Sequence, residues 1–277
     1  TKMISLIIPF YNCAKTAEST LFTASRFINN YENEPIELVA VNDGSTDNTL
    51  SVLESYENEH IKLESTITTE EILNIIDGLN NDKKVNGIMV QMPLPKGIDT
   101  DKVQNAVIPE KDVDGLSDMN AGLLFHNKDA LFSCTPYGVM ELFKRYDISL
   151  EGKTAVVVGR SNLVGKPMSM MLLNAGATVM ICHSKTKNLA DITKKADILI
   201  SCVGKAKFIT KEMVKDRAIV IDVGITRDEN GLCGDVDYEN VLPLTEYITP
   251  VPGGVGPMTV AMLGANVLKA YKKQIGD

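Results

Sequence analysis

Short apolar runs rich in β-branched residues alternate with helical patterns along almost the whole chain. These runs predict strands at residues 5–9, 37–41, 61–64, 87–91, 154–158, 178–182, 198–201, 218–223 and 247–248. Several runs are apolar at successive positions, which is typical of strands that are covered on both faces of a sheet. The alternation predicts an α/β protein in which parallel strands are joined by crossover helices.

Helical periodicity is clearest in three segments between or after these runs. Residues 69–79 open with Thr68 and Glu71 at the spacing of a capping box, and apolar residues then recur at helical intervals. Further helices are predicted at 135–151, after which a new strand and helix series begins, and at 258–273.

The length of 277 residues fits two domains of ordinary size. We expect residues 1–136 to form an N-terminal α/β domain, with the C-terminal helix at 258–277 packing back on it. Residues 137–257 are expected to form a second α/β domain around a parallel sheet.

Composition and charge limit the function classes. Hydrophobic residues make up 44% of the chain and charged residues 23%, which is a globular balance. The formal net charge is −8 and no stretch collects Lys and Arg with interleaved aromatic residues, so we expect no nucleic-acid partner. The apolar runs are far shorter than the ~20 residues that span a bilayer, so we expect no membrane association and a cytoplasmic location. The five cysteines form no Cys-x-x-Cys pair, so no metal site is expected.

A glycine turn follows the run at 154–158, and the segment from Gly159 to Gly165 leads into a helical pattern. Small residues let backbone amides approach a pyrophosphate, and the start of a helix offers unpaired N–H groups and a positive dipole end. The spacing differs from G-x-G-x-x-G, because position 161 is Ser. A plain tight turn remains an alternative.

The next strand is followed by the segment 183–187, His-Ser-Lys-Thr-Lys, which contains no acid. A site for NAD commonly has an Asp or Glu here to bind the ribose hydroxyls, so its absence favours the 2′-phosphate of NADP. Arg160 could bind that phosphate through two hydrogen bonds, and Ser184 could donate another. The alternative is a solvated basic loop, and His183 is assigned no role.

Three further segments follow predicted strands. The turns 202–205 and 222–225 could contact the ribose and nicotinamide of a cofactor. The segment 249–259 is rich in Pro and Gly, which makes it stiff and bare enough for a flat ligand to approach. An ordinary connection is the alternative for this last segment.

Five motifs together carry a resemblance to a known family, and they lie at residues 87–95, 109–115, 156–161, 182–186 and 249–259. From about residue 60 onward the chain resembles the bifunctional methylenetetrahydrofolate dehydrogenase/methenyltetrahydrofolate cyclohydrolase family. The resemblance implies an N-terminal α/β substrate domain, a Rossmann-type NADP-binding domain and a homodimer. It also implies that tetrahydrofolate derivatives are the substrates: 5,10-methylenetetrahydrofolate is oxidised to the methenyl form, which is hydrolysed to 10-formyltetrahydrofolate.

The resemblance also implies roles for individual residues. Asp114 matches the carboxylate that holds the pteridine ring, and Gln91 matches the amide beside the catalytic lysine. Residues that match the folate cleft are Pro252 and Gly253. Residues that match cofactor contacts are Gly159, Arg160, Ser161, Ser184, Ile225 and Thr259. Without the resemblance, residues 111–114 are typical of a solvated charged turn.

The family's catalytic lysine has no counterpart in this sequence. In the family it belongs to a Tyr-x-x-x-Lys segment, whereas the corresponding window here, 43–47, is Asp-Gly-Ser-Thr-Asp. A Tyr-x-x-x-Lys does occur at Tyr11 and Lys15, but it directly follows the first predicted strand and is not expected to substitute. We therefore expect the hydrolysis to be impaired.

Residues 1–63 resemble a different family, the N-terminal portion of family 2 inverting glycosyltransferases, through the segments 4–12 and 37–49. The resemblance implies that Asp43, after the second strand, reads the uracil of a nucleotide-sugar. The alternative is a turn followed by a helix N-cap. The Asp112-Val-Asp114 pattern resembles a transferase's metal-binding Asp-x-Asp but falls within the folate motif.

The change of family near residues 57–63 gives the chain the character of a chimera. A natural fusion, a deliberate chimera and an assembly error all fit this join. Two other functions remain open: an NADP-binding protein without turnover, and a nucleotide-sugar glycosyltransferase portion fused to a folate enzyme.

Overall fold

The computed structural model describes the strands Ile4–Phe10 and Ile36–Asn42 and residues 67–92, 94–229 and 231–276. The contacts divide the chain into two compact units. The first comprises Thr1–Asn120 with Gly264–Asp277, and the second comprises Ala121–Leu263. The domain boundaries at 136 and 257 stay a prediction.

Four of the sequence predictions fall outside the described residues. These are the strand at 61–64, the Asp43 to Asp47 segment, the Tyr11 and Lys15 pair, and the join at 57–63.

The first unit contains a parallel pair of strands, β1 (Ile4–Phe10) and β2 (Ile36–Asn42), in a register that pairs Ile4 with Ile36. Both strands were expected and are confirmed. Helix α1 (Thr69–Asn81) begins with the predicted capping box: Glu71 N–H donates to Thr68 Oγ1 at 3.3 Å, and Thr68 N–H donates to Glu71 Oε2 at 2.8 Å.

The segment 87–91 is not a strand, contrary to the prediction. Among the described residues it makes one isolated parallel bridge, between Ile88 and Asp112, with Ile88 N–H donating to Lys111 O at 2.6 Å. Its apolar residues instead pack in the core that α1 forms with helix α2 (Thr100–Ala106). The apolar run therefore reflects burial against helices, because the facing segment is a loop that cannot extend a ladder.

Helix α3 (Asp118–Phe125) is followed by helix α4 (Cys134–Arg145), which ends before the predicted 151. Asp147 has φ +50°, a left-handed conformation that no helix continues through. Ile148 N–H then donates to Phe143 O at 2.9 Å, which closes the end of α4.

The second unit is built around a five-stranded sheet in the order β4-β3-β5-β6-β9, and every neighbouring pair is parallel. The strands are β3 (Thr154–Val158), β4 (Thr178–Cys182), β5 (Ile198–Ser201), β6 (Ala218–Asp222) and β9 (Thr245–Ile248). The first three match their predicted bounds. The expected α/β class with a parallel sheet is confirmed.

Both faces of this sheet are covered. Along β3, Ala155 and Val157 belong to one buried cluster, whereas Val156 and Val158 belong to another. The first cluster includes Leu172 of helix α5 (Gly165–Asn174). This two-sided burial explains why the strand is apolar at successive positions.

The remaining elements connect the strands or follow them. Sequence patterns missed the antiparallel hairpin of β7 (Thr226–Asp228) and β8 (Gly231–Cys233). The other elements are α6 (Leu189–Thr193), the 3₁₀ turns Lys211–Met213 and Leu242–Leu244, α7 (Tyr238–Val241) and α8 (Val255–Ile275). Among the described residues, no helix combines the length and apolar character needed to cross a bilayer.

Candidate active site

The strand register gathers the predicted cofactor turns at one edge of the second unit's sheet. Val158 pairs with Cys182 on one side and with Ser201 on the other, and Ser201 pairs with Asp222. The carboxyl ends of parallel strands lie at the same edge, which is where ligands bind in open α/β sheets. The turns after β3, β4, β5 and β6 therefore emerge side by side.

The turn after β3 requires glycine at two positions. Gly159 is buried with φ +136°, and a Cβ there would lie 2.7 Å from Cys202 O. A Cβ on Gly165 would overlap Gly159 O, so the first turn of α5 packs directly against the β3 turn. Because neither glycine carries a side chain, no Cβ covers the backbone at these two positions of the turn, which suits the approach of a pyrophosphate.

Ser161 closes the start of α5. Its Oγ accepts hydrogen bonds from Val164 N at 3.1 Å and Gly165 N at 3.3 Å. A hydroxyl that accepts bonds from the backbone can still donate its own hydrogen to an anion. Ser161 therefore combines a capping role with the capacity to contact a phosphate, the role that the resemblance implied.

Arg160 and Ser184 are both exposed, and each lies two residues beyond the paired residues that end β3 and β4. The turn after β4 is closed by hydrogen bonds between His183 N and Thr186 Oγ1 at 2.9 Å and between Thr186 N and His183 O at 2.8 Å. A cation and a hydroxyl thus emerge from neighbouring turns whose sequence contains no acid, which suits a phosphate.

Two buried carboxylates lie behind the turns after β5 and β6: Asp222 begins the predicted turn 222–225, whereas no sequence pattern singled out Asp235. Asp235 Oδ2 accepts from Ser201 Oγ at 2.9 Å and Val203 N at 2.7 Å, and its Oδ1 accepts from Lys205 N at 2.7 Å. Asp235 is 0% exposed. The signal that could have found it is an acid next to a glycine, Gly234, in a short turn-rich segment.

Asp222 ends β6 and accepts three backbone hydrogen bonds. Its Oδ1 accepts from Gly224 N at 3.1 Å and Asp235 N at 2.9 Å, and its Oδ2 accepts from Val236 N at 2.8 Å. Burial, with a smaller contribution from the nearby Asp235 carboxylate, raises the pKa of Asp222 to about 6 despite the lowering effect of the three N–H donors. An acid at the end of a wholly apolar strand was the available signal.

The segment after β9 is tied to the same strand end. Asp222 N–H donates to Thr249 Oγ1 at 2.8 Å. Beyond this anchor Pro252 and Gly253 are exposed, and Gly253 has φ +98°, while Ile225 of the β6 turn is 60% exposed. The candidate folate and cofactor residues of these two segments thus stand at the surface of the second unit.

Thr259 lies in α8, where its hydroxyl is within 3.0 Å of Thr135 Oγ1. Its Oγ1 also donates to Val255 O at 3.4 Å. The residue is half-buried, so this candidate cofactor contact is already engaged with the protein.

In the first unit, the loop that carries Asp114 is anchored by a buried cation. Lys111 is 5% exposed, and its Nζ donates to Leu79 O at 2.9 Å, Asn80 O at 2.8 Å and Asp82 O at 2.7 Å. Burial lowers the pKa of Lys111, partly offset by Asp82. The interpretation of 111–114 as a solvated charged turn is wrong, because the carbonyls at the end of α1 need a donor.

Asp112 anchors the other side of this loop. Its Oδ1 accepts from Leu116 N at 3.2 Å, and its Oδ2 accepts from Ser117 N at 2.8 Å and Asn120 Nδ2 at 2.9 Å. Asp112 is therefore committed to the backbone around it. In the described part of the chain no cluster of acidic, His or Cys side chains is arranged to hold a metal ion.

The two predicted catalytic residues of the first unit have different surroundings. Asp114 is half-buried and lines a small cavity together with Val90, Gln104 and Leu116. Gln91 is not among the residues that line this cavity, and its Nε2 donates to Met92 O at 2.8 Å. Asp114 therefore lies in the wall of the cavity, whereas Gln91 directly follows a lining residue, Val90, and does not itself line the cavity.

Comparison with known proteins matches two parts of the chain to two domain models of one family. Residues 133–275 match the family model of the tetrahydrofolate dehydrogenase/cyclohydrolase NAD(P)-binding domain, and residues 54–114 match the model of the catalytic domain. The chain belongs to the tetrahydrofolate dehydrogenase/cyclohydrolase family. The resemblance noted in the sequence is confirmed.

Curated members of the tetrahydrofolate dehydrogenase/cyclohydrolase family cover most of the chain. The bifunctional protein FolD of Caldicellulosiruptor saccharolyticus is 55% identical over 219 residues, which cover 77% of this chain and 78% of the relative. The FolD protein of Burkholderia lata is 56% identical over 209 residues, which cover 75% and 73%.

Solved structures of the family have the same fold. The bifunctional FolD enzyme of Campylobacter jejuni is 42% identical with a TM-score of 0.80, and the match covers 94% of each chain. The FolD enzyme of Trypanosoma brucei, solved with NADP cofactor and inhibitor, is 30% identical with a TM-score of 0.78, covering 98% of this chain and 99% of that one.

Residues 5–70 match a different model, that of glycosyl transferase family 2, so the second resemblance is also confirmed as a similarity. This match overlaps the start of the folate catalytic-domain match at residues 54–70. The tetrahydrofolate dehydrogenase/cyclohydrolase family therefore accounts for the larger part of the chain, from residue 54 onward.

Proposed function

We propose that this chain oxidises 5,10-methylenetetrahydrofolate to the 5,10-methenyl form with NADP and hydrolyses the methenyl form to 10-formyltetrahydrofolate only slowly. The observation that carries the oxidative part is the pairing of two neighbouring acid-free turns: the glycine turn of Gly159, which bears Arg160, and the turn after β4, which bears Ser184. The bifunctional relatives at more than half identity support the substrate class.

The residues of the second unit fit a dinucleotide bearing a 2′-phosphate. The bare backbone between Gly159 and Gly165 leaves room for a pyrophosphate at the positive end of α5. The Arg160 guanidinium and the Ser184 hydroxyl bind the 2′-phosphate, and the exposed Ile225 packs against the nicotinamide end. When bound, the cofactor accepts a hydride from the methylene carbon of the folate.

The residues of the first unit bind and orient the folate. The Asp114 carboxylate accepts hydrogen bonds from the N–H groups of the pterin ring, and its half-buried position strengthens the selectivity, because an unmatched partner would be costly. Gln91 offers an amide that can orient the reacting part of the folate. Oxidation needs little more than this placement of two reactants.

The hydrolytic step needs more, because water must add to the methenyl carbon while protons move. The family's Tyr-x-x-x-Lys has no counterpart in the 43–47 window of this sequence. Without that acid/base the hydrolysis proceeds near its spontaneous rate, and the methenyl product accumulates. Grafting a family-type Tyr-x-x-x-Lys opening onto residues 64–277 is expected to restore the hydrolysis.

The experiment mixes the protein with methylenetetrahydrofolate and either NADP or NAD and follows the reduced cofactor. Turnover with NADP is expected, and Arg160→Ala is expected to raise the KM for NADP by about tenfold or more while changing the KM for NAD little, because a charged hydrogen bond to phosphate is lost. No turnover with either cofactor would refute the enzymatic function. An equal rise in both KM values would refute the phosphate role of Arg160.

A second candidate is an NADP-binding protein without turnover, and the replaced opening up to residue 70 favours it. Calorimetry decides between the two: binding of NADP with no response to folate would support the second candidate. Binding of a uridine diphosphate sugar would instead point to the glycosyltransferase alternative.

A homodimer, a cytoplasmic location and the lack of nucleic-acid or membrane partners are part of the same proposal. The resemblance supports the homodimer, and the sequence composition supports the rest. Sedimentation of the purified protein tests the homodimer, and a monomer would contradict it.

A further inference from the structure

We infer that Asp222 and Asp235 are positioning residues that hold the strand-end turns of the second unit in the shape that the dinucleotide needs. This inference rests on the proposed function, since it assigns the turns after β5 and β6 to the cofactor. The two carboxylates are called here the carboxylate clasp.

The first half of the clasp fixes the turn after β5. Asp235 accepts from the side chain of Ser201, the last residue of β5, and from the backbone N–H groups of Val203 and Lys205. All three distances lie between 2.7 and 2.9 Å. Alternate amides of the turn are thus directed inward at one carboxylate, which fixes the direction in which the rest of the turn faces.

The second half of the clasp fixes the turn after β6 and the return of the chain from the β7–β8 hairpin. Asp222 accepts from Gly224 N in its own turn and from Asp235 N and Val236 N beyond the hairpin. Ile225, the exposed candidate cofactor contact, directly follows Gly224. Asp222 therefore sets the position from which Ile225 projects.

Glycines make the two halves interlock. A Cβ on Gly224 would overlap the Asp235 carboxylate, and a Cβ on Gly234 would overlap the Asp222 carboxylate. The Asp235 carboxylate therefore lies against Gly224, which is close in sequence to Asp222. The Asp222 carboxylate lies against Gly234, which directly precedes Asp235. This reciprocal packing links the turn after β5 to the turn after β6.

Both acids act from behind the turns. Asp235 is 0% exposed and Asp222 is 3% exposed, and their oxygens accept bonds from the protein itself. They are positioning residues and not catalytic residues, because a bound ligand would meet the outer side of the turns. The groups that bond to the two carboxylates are N–H and O–H donors. An asparagine in place of either acid would therefore put its NH₂ group opposite a protein donor, and that hydrogen bond would be lost.

The decisive variant is Asp235→Asn. Its single remaining oxygen can keep Ser201 and Val203, while its NH₂ faces Lys205 N and releases that part of the turn. We expect the KM for NADP and the KM for NAD to rise together, by about tenfold, with kcat less affected and with the ratio of the two KM values unchanged. Arg160→Ala, in contrast, changes that ratio.

Asp197→Asn is the matched control. Asp197 accepts a backbone hydrogen bond from Thr154 N at 2.9 Å and a bond from Lys215 Nζ at 2.6 Å, just before the first residue of β5 and therefore at the opposite end of that strand. The control is expected to lower the thermal midpoint without changing either KM. If Asp235→Asn only destabilised the fold, it would likewise lower the thermal midpoint and leave both KM values unchanged.

Amide hydrogen exchange of the intact chain gives a readout independent of turnover. Exchange at Lys205, whose amide loses its acceptor, is expected to accelerate in Asp235→Asn and to stay slow in Asp197→Asn. Should Asp235→Asn fail to fold, Ser201→Ala removes one bond from the same carboxylate and is expected to raise both KM values by a smaller factor, about threefold.

The outcomes separate the clasp from the proposed function. Wild-type protein that binds NADP, together with unchanged affinity in Asp235→Asn and Ser201→Ala, would overturn the positioning role alone. Wild-type protein that binds neither dinucleotide would overturn the proposed function, and the positioning role with it. Raised KM values for both cofactors with accelerated exchange at Lys205 would support the clasp.

Discussion

The loop that carries Asp114 in the first unit is tied to the end of α1 by a buried cation, whereas the candidate cofactor turns of the second unit are held by buried carboxylates. In the first unit the Lys111 ammonium donates to the carbonyls that end α1. In the second unit, Asp222 and Asp235 accept the amides of turns that follow strands. The charge in each case matches the backbone groups left unpaired: a helix end leaves carbonyls, whereas these turns direct N–H groups inward.

The two arrangements also differ in redundancy. A single ammonium satisfies three carbonyls in the first unit, so one substitution removes all three of these bonds at once. In the second unit two carboxylates share the turns, and a conservative amide keeps part of the network. Substitution of Lys111 is therefore expected to be more damaging than substitution of either acid.

The largest effect is expected for Lys111→Met, which keeps the length of the side chain and removes its three donors. Three partly buried carbonyls lose their donor and the buried loop loses its anchor, so the free energy of unfolding is expected to fall by about 4 kcal/mol. Denaturant unfolding measures this loss. Lys102→Met is the control, because Lys102 is exposed and its ammonium lies 3.5 Å from the exposed Asp99 carboxylate, and it is expected to cost less than about 0.5 kcal/mol. Equal effects of the two substitutions would contradict the anchoring role.

The next effect is the pH dependence contributed by Asp222. Because burial raises the pKa of Asp222 from 3.8 to about 6, the folded state favours the protonated acid, and the stability it contributes is present below pH 3.8 and lost as pH rises to about 6. The loss amounts to about 3 kcal/mol. Unfolding measured between pH 4 and 7 is expected to show this slope in the wild type and to lack it in Asp222→Asn. A parallel slope in both proteins would show that other groups are responsible.

A smaller effect is expected for Gly234→Ala, whose added methyl group would meet the Asp222 carboxylate. Displacing a buried hydrogen-bonded acid is expected to reduce the free energy of unfolding by about 2 kcal/mol. The contrasting glycine is Gly78 in α1, where an added Cβ meets nothing within 4 Å. Gly78→Ala is expected to stabilise the protein by about 1 kcal/mol, because alanine favours a helix interior. Thermal unfolding of both variants tests the opposite signs.

The sheet of the second unit was largely predictable because its signals are local. Apolar residues at successive positions marked β3, β4 and β5 at their observed bounds. The turns that bear Gly159, Arg160 and Ser184 lie at one edge of the sheet, as expected for segments that follow neighbouring parallel strands. A contiguous strand, glycine turn and helix contains the whole signal within a short stretch of chain.

The first unit was less predictable for the opposite reason. The run at 87–91 has the composition of a strand, but its apolar residues pack against α1 and α2. Whether such a run forms a strand depends on the elements packed beside it, which the run itself does not encode. Lys111 and Asp112 have the composition of a solvated turn, yet they are buried because α1 and the start of α3 supply their partners. Asp114 itself was found only through the family motif.

The sequence by itself determined the α/β class, the parallel strands of the second unit and the glycine turn that follows β3, because hydrophobic periodicity and glycine placement act over a few residues. Only the tertiary structure decided that Lys111, Asp222 and Asp235 are buried supports behind the predicted site residues. Their partners are backbone groups, which carry no residue-specific signal, and a buried charge is identified only once the unpaired carbonyls or amides around it are in place.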